Sequence, residues 1–211
     1  MIINCLLLQV FEDMNFLAHT HLSFGIDDVI FGNFVADSIK GKSYEKFRDD
    51  IRYGILLHRE IDSFTDNHDL FKHSRDTVRP HFGKFSGIVM DIYYDHFLAR
   101  NWSQYSDTEL SAFSTRVYLI LARRFGLLPP RIKRLLPFLI GQNWLSGYAN
   151  ITDLGRVFRG MDRRTGHISG MDYAIEVLKE NHEILFQDFK EFYPQLEKYS
   201  TEVFEKITSR N

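Results

Sequence analysis

GILLHREIDSFTDNH, Gly54 to His68, is apolar on one side at helical spacing, yet two ionisable residues share that side. Ile51, Ile55, His58 and Asp62 are four, three and four apart, which stacks them on one helix face. The spacing predicts a helix from Tyr44 to Phe64, with a break expected near Gly54. Each polar residue on such a stripe has a bland reading as a satisfied core group. A neutral imidazole and a carboxylate one turn apart are also a ligand pair for a divalent ion.

Outward from this stretch the 3.6-residue period dominates, and no run alternates as a strand does. A helix is expected from Asp27 to Ile39 and another from Ser86 to Trp102. Ser106 with Glu109 has the spacing of a capping box, opening a helix to about Phe125. Pro129-Pro130 starts the next, to about Leu145, and a short helix runs from Ile151 to Met161. Ser169 with Asp172 opens a long helix to about Phe192, and Pro194 starts the last. The expected fold is all-α: a compact single-domain bundle of seven to nine helices.

The chain has 211 residues, 44% hydrophobic, enough for one substantial core over 14–211. Residues 1–13 read as an N-terminal extension, with Met14 as the working start. Their apolar run is too short to span a membrane and has no basic start. Cys5 is the single cysteine, so a disulfide framework and a cysteine zinc site are excluded. The default compartment is cytoplasmic. The 19 Phe at helical spacing read as core rather than a base-stacking platform, so no nucleic-acid partner is expected.

Charge is unevenly spread. From Leu110 to Thr152 there is no Asp or Glu, while Arg116, Arg123, Arg124, Arg131, Lys133 and Arg134 give +6. This segment is a candidate dock for an acidic partner, or else a set of solvated helix faces.

The stripe pattern recurs. Ile88, Asp91, Asp95, Leu98 and Trp102 share a face, so two carboxylates lie on an otherwise apolar side. Burying both requires something positive between them, a metal or an arginine. His96 points about 100° away from Asp95. Ile30, Asn33 and Asp37 form a third such stripe. His19 and His21, two apart, cannot share one helical face, although on an extended stretch they could join one site. Asp66 either extends the site or caps a helix starting near Asn67, and His68 and His73 read as loop residues. GxSxG, P-loop, dinucleotide and HExxH motifs are absent. Together the three stripes favour a metal or phosphate site.

The blocks MNFLAHTHLS, FGNFVADSIKG, GILLHREIDSFTDNH and DIYYDHFLARNW closely resemble the acyl carrier protein phosphodiesterases, which are related to HD-domain metal phosphohydrolases. The resemblance runs from Met14 through the C-terminal helices. It implies an HD-domain-like helical fold and a divalent metal, manganese first, with magnesium or iron(II) as alternatives. The implied reaction removes 4′-phosphopantetheine from holo acyl carrier protein. It implies functional roles for Asp37, His58, Asp62, Asp91 and Asp95, the positions the stripes select. The adjacent His-Asp pair of the HD name is reversed here, as Asp95-His96.

The expected ligands are His58, Asp62, Asp91 and Asp95, with Asp37 a ligand or base. The departing serine oxygen needs a proton, and His96, then His21, is the expected donor. Asn33 is expected to touch substrate, and Arg116, Arg123, Arg124 and Arg131 to dock the acidic carrier. The same residues also fit a hydrolase of small nucleotides or other phosphoesters, or a non-catalytic module that binds an acidic partner.

Overall fold

The computed structural model describes residues 16–209. The expected extension at 1–13 lies outside them, as does Cys5. Among the described residues there are eleven α-helices and no strand. They are α1 (Phe16–His21), α2 (Asp27–Val35), α3 (Asp49–Asn67), α4 (Asp69–Phe82), α5 (Ser86–Arg100), α6 (Leu110–Arg123), α7 (Pro130–Gly141), α8 (Trp144–Gly147), α9 (Ile151–Arg164), α10 (Ala174–Glu180) and α11 (His182–Thr208). The all-α expectation holds. The count exceeds seven to nine because α1 and α8 have no predicted counterpart and α4 is expected only under one of the two readings of Asp66.

The expected break near Gly54 does not occur, and α3 runs straight through it. Gly54 instead lets α3 press against α2 backbone to backbone. A Cβ at Gly32 would collide with the Ile51 carbonyl, and one at Gly54 with the Val29 carbonyl. Missing side chains at a helix crossing cost helix propensity but shorten the interaxial distance. Asn33 and Asp37 are thereby set beside His58 and Asp62.

Local signals explain some helix starts. Asp49 and Asp50 in the first turn of α3 and Asp27 and Asp28 in that of α2 complement the helix dipole. Asn150 caps α9, accepting from Thr152 N and Asp153 N. The two expected capping boxes do not form. Glu109 is the N-cap of α6 without a side-chain bond, and Ser106 Oγ accepts from Thr108 N. Ser169 Oγ donates to the buried Asp162, and α10 begins after a 3₁₀ turn. Pro194 lies inside α11 instead of opening a helix, and the real break falls at Asn181. Phe189, Phe192, Tyr193 and Leu196 are buried on both sides of the proline. Fully burying each such side chain is worth about 1.5–3 kcal/mol, which outweighs one lost backbone bond.

One continuous core runs from Phe16 to Val203. α2 and α3 form its tightest pair, and α11 lies across α3, α4 and α5. No helix among the described residues is long and apolar enough to cross a membrane.

Candidate metal centre

Two helices and a short third supply the centre. From α3 come His58 and Asp62, one turn apart. From α2 and the 3₁₀ turn that extends it come Asn33 and Asp37. From α1 comes His19, which the spacing with His21 had not placed on any shared face. The imidazoles of His19 and His58 stack, with ring centroids 4.0 Å apart. His58 Nε2 lies 2.7 Å from Asp37 Oδ1 and 3.1 Å from Asp62 Oδ2. His19 Nε2 lies 3.1 Å from Asp62 Oδ1.

Both histidines are buried, whereas the Asp62 side chain is 42% exposed, so the centre opens to solvent on the Asp62 side. Burial alone would lower the His58 pKa. Its hydrogen bonds to Asp37 and Asp62, and their charges, overcome that and raise it to about 10. Asp62 shows the converse. Burial pushes it up, but the two imidazoles hold it well below the usual carboxylate range. Asp66 is exposed, and partial burial and the neighbouring Asp62 raise its pKa.

The donor set fits a divalent cation. One ligand atom each from His19, His58 and Asp62 lie within 4.8 Å of one another. His19 Nε2 is buried beside Asp62 yet has no aligned hydrogen-bond partner. Two imidazole nitrogens with a carboxylate oxygen suit manganese, iron or zinc-like ions better than an all-oxygen ion.

The other expected site residues sit elsewhere. Asp91 and Asp95 are not in the donor group. Asp95 is fully buried, and its two oxygens accept from Leu17 N at 2.9 Å and Ala18 N at 2.8 Å. The first turn of α1 supplies a positive partner of the kind that its burial demanded. Burial pushes its pKa up to about 8 against those two bonds. His96 Nδ1 donates to Tyr148 O at 2.6 Å, and burial lowers its pKa to about 4. It has no proton to give near neutrality from this position. His21 Nε2 donates to Tyr105 O, and its Nδ1 accepts from Tyr193 OH, so both ring nitrogens are engaged. Burial also lowers its pKa.

Asn33 is completely buried, so it lies behind the imidazoles rather than on a substrate surface. Of the arginines, Arg116 bonds to Asp27 and Gly25 O, and Arg124 pairs with Asp28, which Arg48 also engages. Arg131 is half-buried. Arg123 is exposed, beside Arg116, Thr115 and Leu119 in an open groove of about 540 Å³ on α6. His68 caps α4 by accepting from Leu70 N, and His73, within α4 rather than a loop, donates to Asp188.

Three comparisons bear on this centre. The family described as acyl carrier protein phosphodiesterase matches residues 14–196. A protein of Enterobacter sp. (strain 638) named acyl carrier protein phosphodiesterase is 32% identical over 87% of this chain and 95% of its own. Relatives of the same name from Photorhabdus laumondii and Yersinia enterocolitica are 32% and 30% identical, covering 93% and 95% of their own lengths. No solved structure matches. The match spans every residue that builds the centre, from His19 on α1 to Asp62 on α3, and the chain belongs to the acyl carrier protein phosphodiesterase family.

Proposed function

We propose that this chain is a metal-dependent phosphodiesterase that removes 4′-phosphopantetheine from holo acyl carrier protein and leaves the apo protein. The observation that supports this most is the meeting of His19, His58 and Asp62 within the family-matched segment. Their Nε2 and carboxylate atoms would hold the cation. When bound, a manganese ion, or magnesium or iron(II), supplies Lewis acidity toward the phosphate oxygens.

The chain's own groups supply the rest. Asp37 touches His58 and is partly open to solvent, so it can take a proton from the attacking water. Water attacks phosphorus, the bond to the serine oxygen breaks, and that oxygen takes up the proton that Asp37 accepted from the water. Before a cation binds, His58 Nε2 holds both carboxylates in place. Asp95 orients the helix that carries His19 through its bonds to Leu17 and Ala18. The helical bundle with His and Asp donors from separate helices supports kinship with HD-domain hydrolases.

The acid-free segment provides the carrier's dock. Arg123 is one of its exposed cations, with Leu119, Phe125 and Leu127 exposed nearby as apolar contacts. Arg116 and Arg124 hold α6 to Asp27 and Asp28 and shape that face. An acyl carrier protein substrate fits a cytosolic enzyme.

The test is direct. Purified protein, Mn²⁺ and holo acyl carrier protein should release 4′-phosphopantetheine, and Asp62→Ala should not. An equal rate from wild type and Asp62→Ala would overturn the assignment of this centre.

A further inference from the structure

We infer that Asn33 is the positioning residue that presents both imidazoles to the cation through Nε2, an inference that rests on the metal-centre reading above. The argument follows hydrogens one at a time. The His19 carbonyl oxygen can only accept. It lies 2.8 Å from one terminal atom of the Asn33 amide, so that atom is Nδ2. Ser23 Oγ donates to the same carbonyl at 2.8 Å, which leaves its oxygen to accept from Asn33 Nδ2 at 3.1 Å. Both amide hydrogens are then used, and the orientation of the amide is determined from two sides.

The other end of the amide is therefore Oδ1, which can only accept. It lies 2.8 Å from His19 Nδ1 and 3.0 Å from His58 Nδ1. Both Nδ1 atoms must carry hydrogen. One carbonyl oxygen with two lone pairs serves two rings that stack 4.0 Å apart. In each neutral ring the lone pair is then on Nε2, the atom that faces Asp62. Metal-bound imidazoles ordinarily need such a partner on the far nitrogen, and here a single side chain serves both.

Asn33 has no exposed surface, so it cannot reach substrate. Two separable jobs remain. The Nδ2 bonds tie α2 to the end of α1, a structural job. The Oδ1 bonds set the rings, a job toward the cation. Asn33→Asp keeps the acceptor and loses the donors, whereas Asn33→Leu loses both.

The test measures Mn²⁺ affinity of the full chain by calorimetry, alongside ¹⁵N-histidine NMR of the Zn²⁺-loaded wild type. We expect Asn33→Leu to lose roughly 10–100-fold in Mn²⁺ affinity, and Asn33→Asp to stay within a few-fold of wild type. The spectra should show Nδ1–H and metal-shifted Nε2 on both His19 and His58. Equal loss in the Asp and Leu variants would assign Asn33 a structural job alone and overturn the inference. So would coordination through Nδ1 in the wild type, a result that stands even if Asn33→Leu does not fold. A wild type that binds neither Mn²⁺ nor Zn²⁺ would instead overturn the metal centre, and this inference with it.

Discussion

Gly54 packs against Gly32 so closely that a Cβ on Gly54 would stand 2.8 Å from Asn33 N and 3.0 Å from Gly32 Cα. The atoms it would strike are backbone, which cannot rotate away. Gly54→Ala should therefore push α3 off α2, costing about 1–3 kcal/mol or more of stability. It should also separate His58 from Asn33 and weaken metal binding. Urea denaturation and Mn²⁺ titration measure the two effects, and an unchanged midpoint would contradict the packing argument.

Asp95 and Asp62 should part company on mutation. Asp95→Ala leaves the first-turn N–H groups of Leu17 and Ala18 buried without acceptors. At about 1–3 kcal/mol for each unsatisfied group, the loss should be large and seen chiefly in stability. Protein that still folds should keep most of its Mn²⁺ affinity. Asp62→Ala removes a donor from a partly exposed position and should abolish tight binding while the fold survives. The reverse pattern would return Asp95 to the ligand set.

His96 makes a pH prediction. Its folded pKa of about 4 lies below its ordinary 6.5. Between those values the unfolded chain binds a proton that the folded chain refuses, so stability falls as pH falls through this window. The contribution is about 3 kcal/mol, fully present above pH 6.5. His96→Gln, which can still donate to Tyr148 O, should flatten that part of the profile in denaturation series from pH 7 to 4. A slope equal to wild type would show that other groups carry it.

His58 sets the opposite slope in metal-free protein. Its pKa, raised to about 10, means the folded chain holds a proton that the unfolded chain gives up above 6.5. That contribution is full below 6.5 and is lost as the pH rises toward 10. A cation taking Nε2 must displace this proton, so Mn²⁺ affinity should rise with pH over the same range. Calorimetry in buffers of different ionisation enthalpy should detect a proton released per ion near neutrality. No release would place the cation away from His58.

Charge reversal should separate Arg123 from Arg124. Arg123→Glu should weaken binding of an acidic carrier protein several-fold at low salt and much less at high salt, with stability unchanged. Arg124→Glu removes a partner of the buried Asp28 and should instead lower the denaturation midpoint. Equal effects of the two on carrier binding, with no loss of stability, would refute this division.

Much of the molecule was readable from residue spacing. The all-helical fold follows from 3.6-residue periodicity, which needs no knowledge of partners. Asn33, Asp37, His58 and Asp62 were legible because each breaks an apolar stripe, and a polar residue at a core position must be explained. Proline and capping patterns read less well. Ser106, Ser169 and Pro194 send the right local signals, but packing and longer hydrogen bonds override them.

What spacing could not supply is the partner on the far side of each buried group. Asp62 and Asp95 carry the same signature, an acid on an apolar face. One meets two imidazoles and the other meets the two N–H groups of a helix start, and both answers meet the cost of burial. His19 was hidden for the same reason. It lies on a six-residue helix too short to show a face, and only the docking of that helix on α2 and α5 brings its ring over His58. Sequence by itself determined which residues must find partners, because burial is written in local pattern. Tertiary structure alone decided who the partners are, because those contacts join residues as far apart as Leu17 and Asp95.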